Sequence, residues 1–253
     1  MSKLILPSTT LDDIKMVIFD KDGTLIDVHH YWCSMIEYRA KFFIEKLKDE
    51  NINSEALYED LIDSLGIDLE SKRMKPEGPV GIKPRTFIIE VALNTILKYV
   101  DNYTKEAVID VFAEVDEYSK SKLSEIIKPL NGVIEFLEAL KQNNILSSIA
   151  TTDITPRAVL AMKNLKFENY FIDIVGADLV INAKPNSDLV DFIVNKNNLK
   201  YDQVVVIGDS MADLNMAKNA KCKFIGVKTG LFNNEFIELS DLIINDLTEL
   251  RVM

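Results

Sequence analysis

The chain has 253 residues, 47% of them hydrophobic, and is long enough to form one large or two modest globular domains. Its 29 basic and 40 acidic residues give a formal net charge of −11, which argues against a nucleic-acid partner. The sequence lacks the run of about 20 apolar residues that spans a bilayer, and its two cysteines, Cys33 and Cys222, lack metal-ligand spacing. We therefore expect a reduced, cytoplasmic protein that does not bind membranes.

The first predicted element is a buried parallel strand over 15–20, because four apolar residues follow one another from Met16. Asp20 and Asp22 come at its end, and alternation along a strand points two such side chains the same way. Open α/β sheets bind ligands at the carboxyl ends of their strands. Two acids there suit a hard cation and a covalent or acid–base role. The alternative is an acidic turn after a strand, since Asp and Gly are ordinary turn residues.

The next part of the chain, 28–125, is predicted to be almost entirely helical. Helices are expected over 31–47, 54–65, 85–99 and 104–123. Glycines and prolines between 66 and 85 predict a turn-rich break, and loops held by rigid helices often carry recognition. Lys83 and Arg85 at this break are candidates to meet a charge on a substrate. The alternative is that both side chains face solvent.

After residue 130, predicted strands alternate with helices, which is typical of a parallel sheet covered by helices. The strands are expected at 145–150, 171–175, 203–208, 223–227 and 241–244. Thr155 is predicted to cap a helix whose first residue is Pro156. A second helix is predicted to start at Asp209-Ser210.

Four short motifs occur in this order along the chain. They are Asp20-Lys21-Asp22-Gly23-Thr24, Thr151, Lys184-Pro185, and Gly208-Asp209 with Asp213. In this order and strand context the chain resembles the haloacid dehalogenase-like superfamily of phosphoryl-transfer enzymes, from about Lys15 to Val227. The resemblance implies a Rossmann-like α/β core formed by 1–27 and 126–253. It also implies that 28–125 is an inserted helical cap, of the kind called type one, which selects the substrate.

The same resemblance implies roles for three aspartates. Asp20 is expected to be the nucleophile that forms an aspartyl-phosphate, and its other oxygen to bind Mg²⁺. Asp22 is expected to protonate the leaving alcohol and then to deprotonate water, while its backbone carbonyl binds the metal. Asp209 is expected to complete the metal ligands. A purely structural role for Asp20 is the alternative.

Four further residues are expected to support the phosphoryl group. Thr151 and the backbone amide of Thr152 hold a phosphoryl oxygen, and Lys184 offsets the negative charge of Asp20 and the phosphate. Asp213 holds Lys184 or a water molecule on the metal; the alternative is an ordinary acid in the first turn of a helix. His29 and other residues at the entrance to the insertion are interpreted as hinge residues rather than metal ligands.

The motifs and the helical insertion look most like the phosphoglycolate phosphatase-like branch of the superfamily. The predicted function is Mg²⁺-dependent hydrolysis of a small phosphorylated metabolite. One alternative is a phosphosugar mutase with the same core, which needs water kept away from the aspartyl-phosphate. Another is a metabolite-binding protein that has the phosphatase fold but has lost catalytic activity. Such a loss usually shows as a missing nucleophile, acid or metal ligand. The sequence indicates neither the substrate nor the oligomeric state.

Overall fold

The computed structural model describes residues 3–81, 83–231 and 234–253. The chain divides into two compact units. The first, here called the sheet unit, consists of Met1–Val28 and Ile127–Met253. The second, the helical unit, is His29–Ile126. The sequence predicts the inserted domain at 28–125, and the role in substrate selection that the resemblance implies for it stays a prediction.

The strands of the sheet unit form two sheets. In chain order they are β1 (Lys3–Ile5), β2 (Thr10–Asp12), β3 (Met16–Phe19), β4 (Leu146–Ala150), β5 (Asp173–Val175), β6 (Val204–Gly208), β7 (Lys223–Val227), β8 (Ile243–Ile244) and β9 (Arg251–Val252). Six of them form a parallel sheet in the order β5-β4-β3-β6-β7-β8. This sheet confirms the predicted α/β class.

Strand β3 lies in the middle of the parallel sheet because its sequence is apolar on both faces. All four of its residues are buried, and Phe19 lies opposite Ile149 of β4 and Ile207 of β6. The chain adds β4 and β5 on one side of β3, and β6, β7 and β8 on the other. The sheet thus grows first on one side of β3 and then on the other. Where the direction of growth changes, a crevice opens at the carboxyl ends of the strands, and ligands bind there in open α/β sheets.

Both units contain helices. In the sheet unit they are α6 (Val133–Gln142), α7 (Thr155–Leu165), α8 (Asp188–Lys196), α9 (Met211–Ala220) and α10 (Asn234–Leu239), and in the helical unit α1 (Val28–Lys46), α2 (Ser54–Leu65), α3 (Arg85–Ile96), α4 (Lys105–Ser121) and α5 (Leu123–Ile126). Short 3₁₀ helices occur at Glu168–Tyr170, Ala177–Leu179, Tyr201–Gln203 and Leu247–Glu249. Apolar residues of α8 and α9 pack with β3 and β6 in one buried cluster. Among the described residues, no helix combines the length and apolar character needed to cross a bilayer.

The prediction that Thr155 caps α7 is wrong. Ile154 is the N-cap residue, and Thr155 is already the first residue of the helix. The Thr155 hydroxyl instead donates to Asp178 Oδ1 at 2.8 Å and accepts from the Gly176 amide. The Thr155 side chain therefore binds the carboxylate of Asp178, which is distant in the sequence, and does not cap the helix as the local sequence predicts.

A second, antiparallel sheet of three strands, β2-β1-β9, was not predicted. Its strands are two or three residues long, which is too short for a period-two pattern to be seen. Residues from opposite ends of the chain pair in it, with Leu4 opposite Val252. Tertiary pairing rather than local sequence therefore forms this sheet.

Helix ends of the helical unit follow local capping rules. Asn53 Oδ1 accepts from the Ala56 amide at the start of α2, and Thr104 Oγ1 accepts from the Ala107 amide at the start of α4. Gly66 ends α2 in the left-handed conformation. Helix α3 is shorter than the predicted helix over 85–99, since it ends at Ile96.

Candidate active site

Three carboxylates meet at the carboxyl end of the parallel sheet. Asp20 directly follows β3, and its backbone amide donates to the carbonyl of Ile207 in β6 at 2.8 Å. Asp209 directly follows β6, and Asp213 lies in the first turn of α9. One carboxylate oxygen from each of the three aspartates lies within 4.8 Å of the other two. The crevice predicted from the strand order therefore carries a dense negative charge.

Lys184 is the cation that contacts this carboxylate cluster. Its Nζ lies 2.5 Å from Asp20 Oδ1 and 2.5 Å from Asp213 Oδ1, and its side chain is only 2% exposed. Burial disfavours the charge on Lys184, but attraction to the two aspartates outweighs it and raises the pKa of the lysine above its usual value. Lys184 is thus held charged between two acids, one that follows β3 and one in the first turn of α9.

One lysine does not neutralise three carboxylates. Burial raises the pKa of Asp20 from 3.8 to about 7; Lys184 counteracts this rise, while Asp213 and Asp22 add to it. Burial also raises the pKa of Asp209 well above its usual value, and repulsion from Asp20 and Asp213 increases the effect. Without another cation, the cluster therefore favours proton uptake near neutral pH.

Asp213 has two roles at once. Its Oδ2 accepts from the Ser210 hydroxyl at 2.5 Å and from the Ser210 amide at 3.1 Å, in a capping box that begins α9. Its Oδ1 contacts Lys184. Asp213 therefore lies in the first turn of a helix and also contacts Lys184, while its supporting role in the reaction stays a prediction.

Two glycines make room for the carboxylate of Asp209. A Cβ atom on Gly230 would lie 1.6 Å from Asp209 Oδ2, and one on Gly23 would lie 2.4 Å from the same oxygen. Gly23 also has φ of +97°, which side-chain-bearing residues rarely adopt. The Thr24 hydroxyl donates to Asp209 Oδ1 at 3.4 Å. The position of this carboxylate thus depends on three neighbouring residues.

Thr229 and Gly230, which follow β7, were missed by the sequence analysis. The Thr229 hydroxyl donates to the carbonyl of Gly23 at 2.5 Å and ties this loop to the first motif. The available signal was a Thr-Gly pair after a predicted strand, 223–227. Its proximity to Asp209 follows from β7 pairing beside β6.

The carboxylate of Asp22 does not belong to the cluster of Asp20, Asp209 and Asp213. Lys21 Nζ lies 2.8 Å from Asp22 Oδ2 and 3.2 Å from Asp153 Oδ2. The Lys21 side chain is 7% exposed, and attraction to both acids raises its pKa although burial opposes the charge. Lys21 was also missed. The sequence pattern that could have indicated Lys21 is a lysine between two aspartates directly after a predicted strand.

Thr151 and Thr152 follow β4, beside β3. Thr151 is buried, and its hydroxyl oxygen accepts from the Asp153 amide at 3.1 Å, which leaves its own proton free to be donated. Thr152 is exposed. Both residues thus lie at the edge of the sheet that carries Asp20.

Lys83 and Arg85 lie in the helical unit and are exposed. Arg85 Nη1 lies 2.6 Å from Asp116 Oδ2, so its charge is already paired within that unit. His29 Nδ1 accepts from the Met74 amide at 3.2 Å, and His30 Nε2 lies 3.0 Å from the carbonyl of Glu125. The functions assigned to these residues stay predictions.

The carboxylate cluster has the chemistry of a site for a hard divalent cation. Its donors are carboxylate oxygens, which Mg²⁺ and similar ions prefer. Burial raises the pKa values of Asp20 and Asp209, and repulsion between the neighbouring carboxylates adds to this rise; such a cation would offset that repulsion. The three converging carboxylates include Asp213, whereas the sequence analysis expected Asp20, Asp209 and the carbonyl of Asp22.

Residues 17–227 match the family described as haloacid dehalogenase-like hydrolase. The chain belongs to this family. The match covers β3 to β7 and includes every aspartate and lysine of the site. The resemblance stated from the four motifs is therefore confirmed.

Known proteins similar to this chain include phosphatases. A pyrophosphatase of Halalkalibacterium halodurans is 24% identical over 219 residues, which are 87% of this chain and 83% of that protein. A phosphoglycolate phosphatase of Vibrio parahaemolyticus is 29% identical over 120 residues, 47% of this chain and 53% of that protein. The second match thus covers about half of either protein. The family and these relatives together identify an enzyme of the phosphatase type.

A solved structure shares the fold. The crystal structure of a predicted phosphoglycolate phosphatase from Haemophilus somnus is 20% identical, with a TM-score of 0.64. The similarity covers 94% of this chain and 97% of that one. It supports the predicted fold class over nearly the whole chain.

Proposed function

We propose that the protein hydrolyses phosphate monoesters of small metabolites, with Asp20 as the nucleophile and Mg²⁺ as the metal. The observation that carries this proposal is the convergence of Asp20, Asp209 and Asp213 at the carboxyl end of the parallel sheet, where Lys184 contacts Asp20 and Asp213. Phosphoryl transfer needs an aligned nucleophile and positive charge around the phosphate, and this cluster can supply both once it holds a metal.

In the first step, an oxygen of Asp20 forms a bond to phosphorus while the bond from phosphorus to the alcohol oxygen breaks. The product is an aspartyl-phosphate on Asp20. Lys184, at 2.5 Å from Asp20, keeps a positive charge beside the reacting carboxylate. Bound Mg²⁺ would neutralise the carboxylates and the phosphate and so allow two negative groups to approach.

Asp22 is proposed to give its proton to the departing alcohol and to take one from the water that hydrolyses the aspartyl-phosphate. Its carboxylate is held by Lys21, which Asp153 holds in turn. We propose Lys21 as a positioning residue for this acid. Thr151 is proposed to donate its hydroxyl proton to a phosphoryl oxygen, together with the amide of Thr152.

The substrate class is proposed from the family and from the names of the relatives. A phosphoglycolate phosphatase and a pyrophosphatase among them favour small, strongly anionic phosphorylated compounds. The helical unit is proposed to select among these compounds, as the resemblance implies. No basic surface pattern in the sequence favours a nucleic-acid substrate.

The test measures released phosphate with phosphoglycolate, pyrophosphate, sugar phosphates and nucleotides, in Mg²⁺ and in EDTA. We expect Mg²⁺-dependent release that Asp20→Asn abolishes, while Asp241→Asn, a change at an exposed aspartate of the same unit, leaves it unchanged. With a substrate that carries radiolabelled phosphate, the label should become trapped on the wild type but not on Asp20→Asn. Isomerised sugar phosphate without free phosphate would assign a mutase instead. Tight binding without turnover would assign a binding protein.

A further inference from the structure

The helical unit contains a buried guanidinium that lacks the partners such a group needs. Arg39 lies on α1 and is 4% exposed. Its Nε and Nη1 atoms are buried and have no hydrogen-bond partner among the described residues. Buried charged groups are almost always paired, and an unpaired one points to a ligand or ion that completes it.

The surroundings of Arg39 leave its charge unmatched. Its guanidinium carbon lies 4.3 Å from the centre of the Phe112 ring, and that of Arg85 lies 5.4 Å from the same centre. Asp116, one turn after Phe112 on α4, forms its ion pair with Arg85 at 2.6 Å. The cluster thus holds two guanidinium groups and one carboxylate, and that carboxylate contacts the other arginine.

Burial lowers the pKa of Arg39 to about 10; Asp116 and Tyr31 counteract this effect, and Arg85 adds to it. The ring of Phe112 offers the guanidinium a cation–π contact, which is weaker than a charge-assisted hydrogen bond to an acid. A bound anion would supply the charge-assisted hydrogen bonds that these neighbours do not provide.

We propose that Arg39 forms the buried part of an anion-binding site in the helical unit, which takes a carboxylate, phosphate or sulfate group with Arg85 as its second guanidinium. Arginine suits this role because its planar donors match the oxygens of such groups. The anion is a free ion, and its binding does not depend on the function proposed above.

The test uses the full chain in EDTA and sulfate as the probe, so that it depends on neither metal nor turnover. Thermal unfolding is followed against sulfate concentration and compared with chloride at equal ionic strength. We expect sulfate to stabilise the wild type over chloride, and Arg39→Met to raise the sulfate concentration at half-maximal effect by about tenfold or more. Arg73→Met, a change at an exposed arginine of the same unit, is the matched control and should behave as the wild type.

Arg39→Lys provides a second variant, which keeps the charge but loses the planar donors, and should also weaken the sulfate effect. Equal sulfate responses of the wild type, Arg39→Met and Arg39→Lys would overturn the proposal. If Arg39→Met does not fold, Arg39→Lys alone decides between these outcomes.

Discussion

Replacing Lys184 by Met removes the cation of the carboxylate cluster and keeps most of the length of the side chain. Nζ of Lys184 contacts Asp20 and Asp213 at 2.5 Å each, and only 2% of the side chain is exposed. Removing one partner of a buried ion pair typically costs about 3–5 kcal/mol. In a domain of this size each kcal/mol lowers the unfolding midpoint by about 2–4 °C, so we expect Tm to fall by about 6–20 °C in EDTA at pH 8.

The loss of stability should depend on pH in a definite direction. Asp20 has a pKa of about 7 in the folded protein and 3.8 ordinarily, so between these values the folded state binds more protons than the unfolded state. Stability from this group is therefore greatest at low pH and falls as pH rises towards about 7. Since Lys184 lowers the pKa of Asp20, its removal extends this fall to higher pH, at up to about 1.4 kcal/mol per pH unit.

The assay is thermal unfolding of the wild type and Lys184→Met at pH 5 and pH 8, in EDTA and in Mg²⁺. We expect a smaller difference between the proteins at pH 5 than at pH 8 in EDTA, and at pH 8 a smaller difference in Mg²⁺ than in EDTA. Lys163→Met, a change at an exposed lysine of α7, is the control. A difference in Tm that is equal at both pH values would refute the electrostatic reasoning.

Three other predictions follow from the same contacts. Gly230→Ala should weaken Mg²⁺ binding by about 10–100-fold in a calorimetric titration, because the added methyl group displaces the carboxylate of Asp209. In the wild type, Mg²⁺ affinity should fall as pH drops below about 7, because Asp20 takes up a proton that the metal must displace; calorimetry in buffers of different ionisation enthalpy should detect that proton. Burial raises the pKa of Cys222 to about 12, so at pH 8 its alkylation by iodoacetamide, followed by mass spectrometry, should be far slower than that of glutathione.

Each of these predictions has an outcome that contradicts it. Unchanged Mg²⁺ affinity in Gly230→Ala would mean that Asp209 is not a metal ligand or that its carboxylate can move at no cost. Mg²⁺ affinity that is constant from pH 8 to pH 6 would exclude proton uptake by Asp20. Alkylation of Cys222 as fast as that of glutathione would show that its thiol is not desolvated.

The sequence predicted those parts of the molecule that depend on local pattern. Strands β3, β4, β6 and β7 lie within one residue of their predicted bounds because each is a run of mostly buried residues. Ser210 was expected at the start of α9 and caps it. The local sequence determines these strands and this helix start. The motifs that follow the strands could be located because the strands themselves were predicted correctly.

The features that were missed depend on contacts between distant segments. Gly230 is noticeable only once β7 is known to lie beside β6, where Asp209 occupies the space of its missing side chain. Thr155 carries a good capping side chain, but the approach of Asp178 redirects it. Arg39 looks like any charged residue on a helix until its burial against Phe112 is seen. None of these contacts produces a periodic pattern in the sequence.

The pairing of β3 has a consequence for the order in which the protein can be assembled during synthesis. Residue 16 pairs with residues 146 and 204, so the central strand waits for both partners while the whole helical unit leaves the ribosome. The helical unit has its own buried core, and domains generally fold as units during synthesis. The strand that precedes Asp20 therefore has no sheet neighbour until residue 146 has been made, although all four of its residues are buried in the finished molecule.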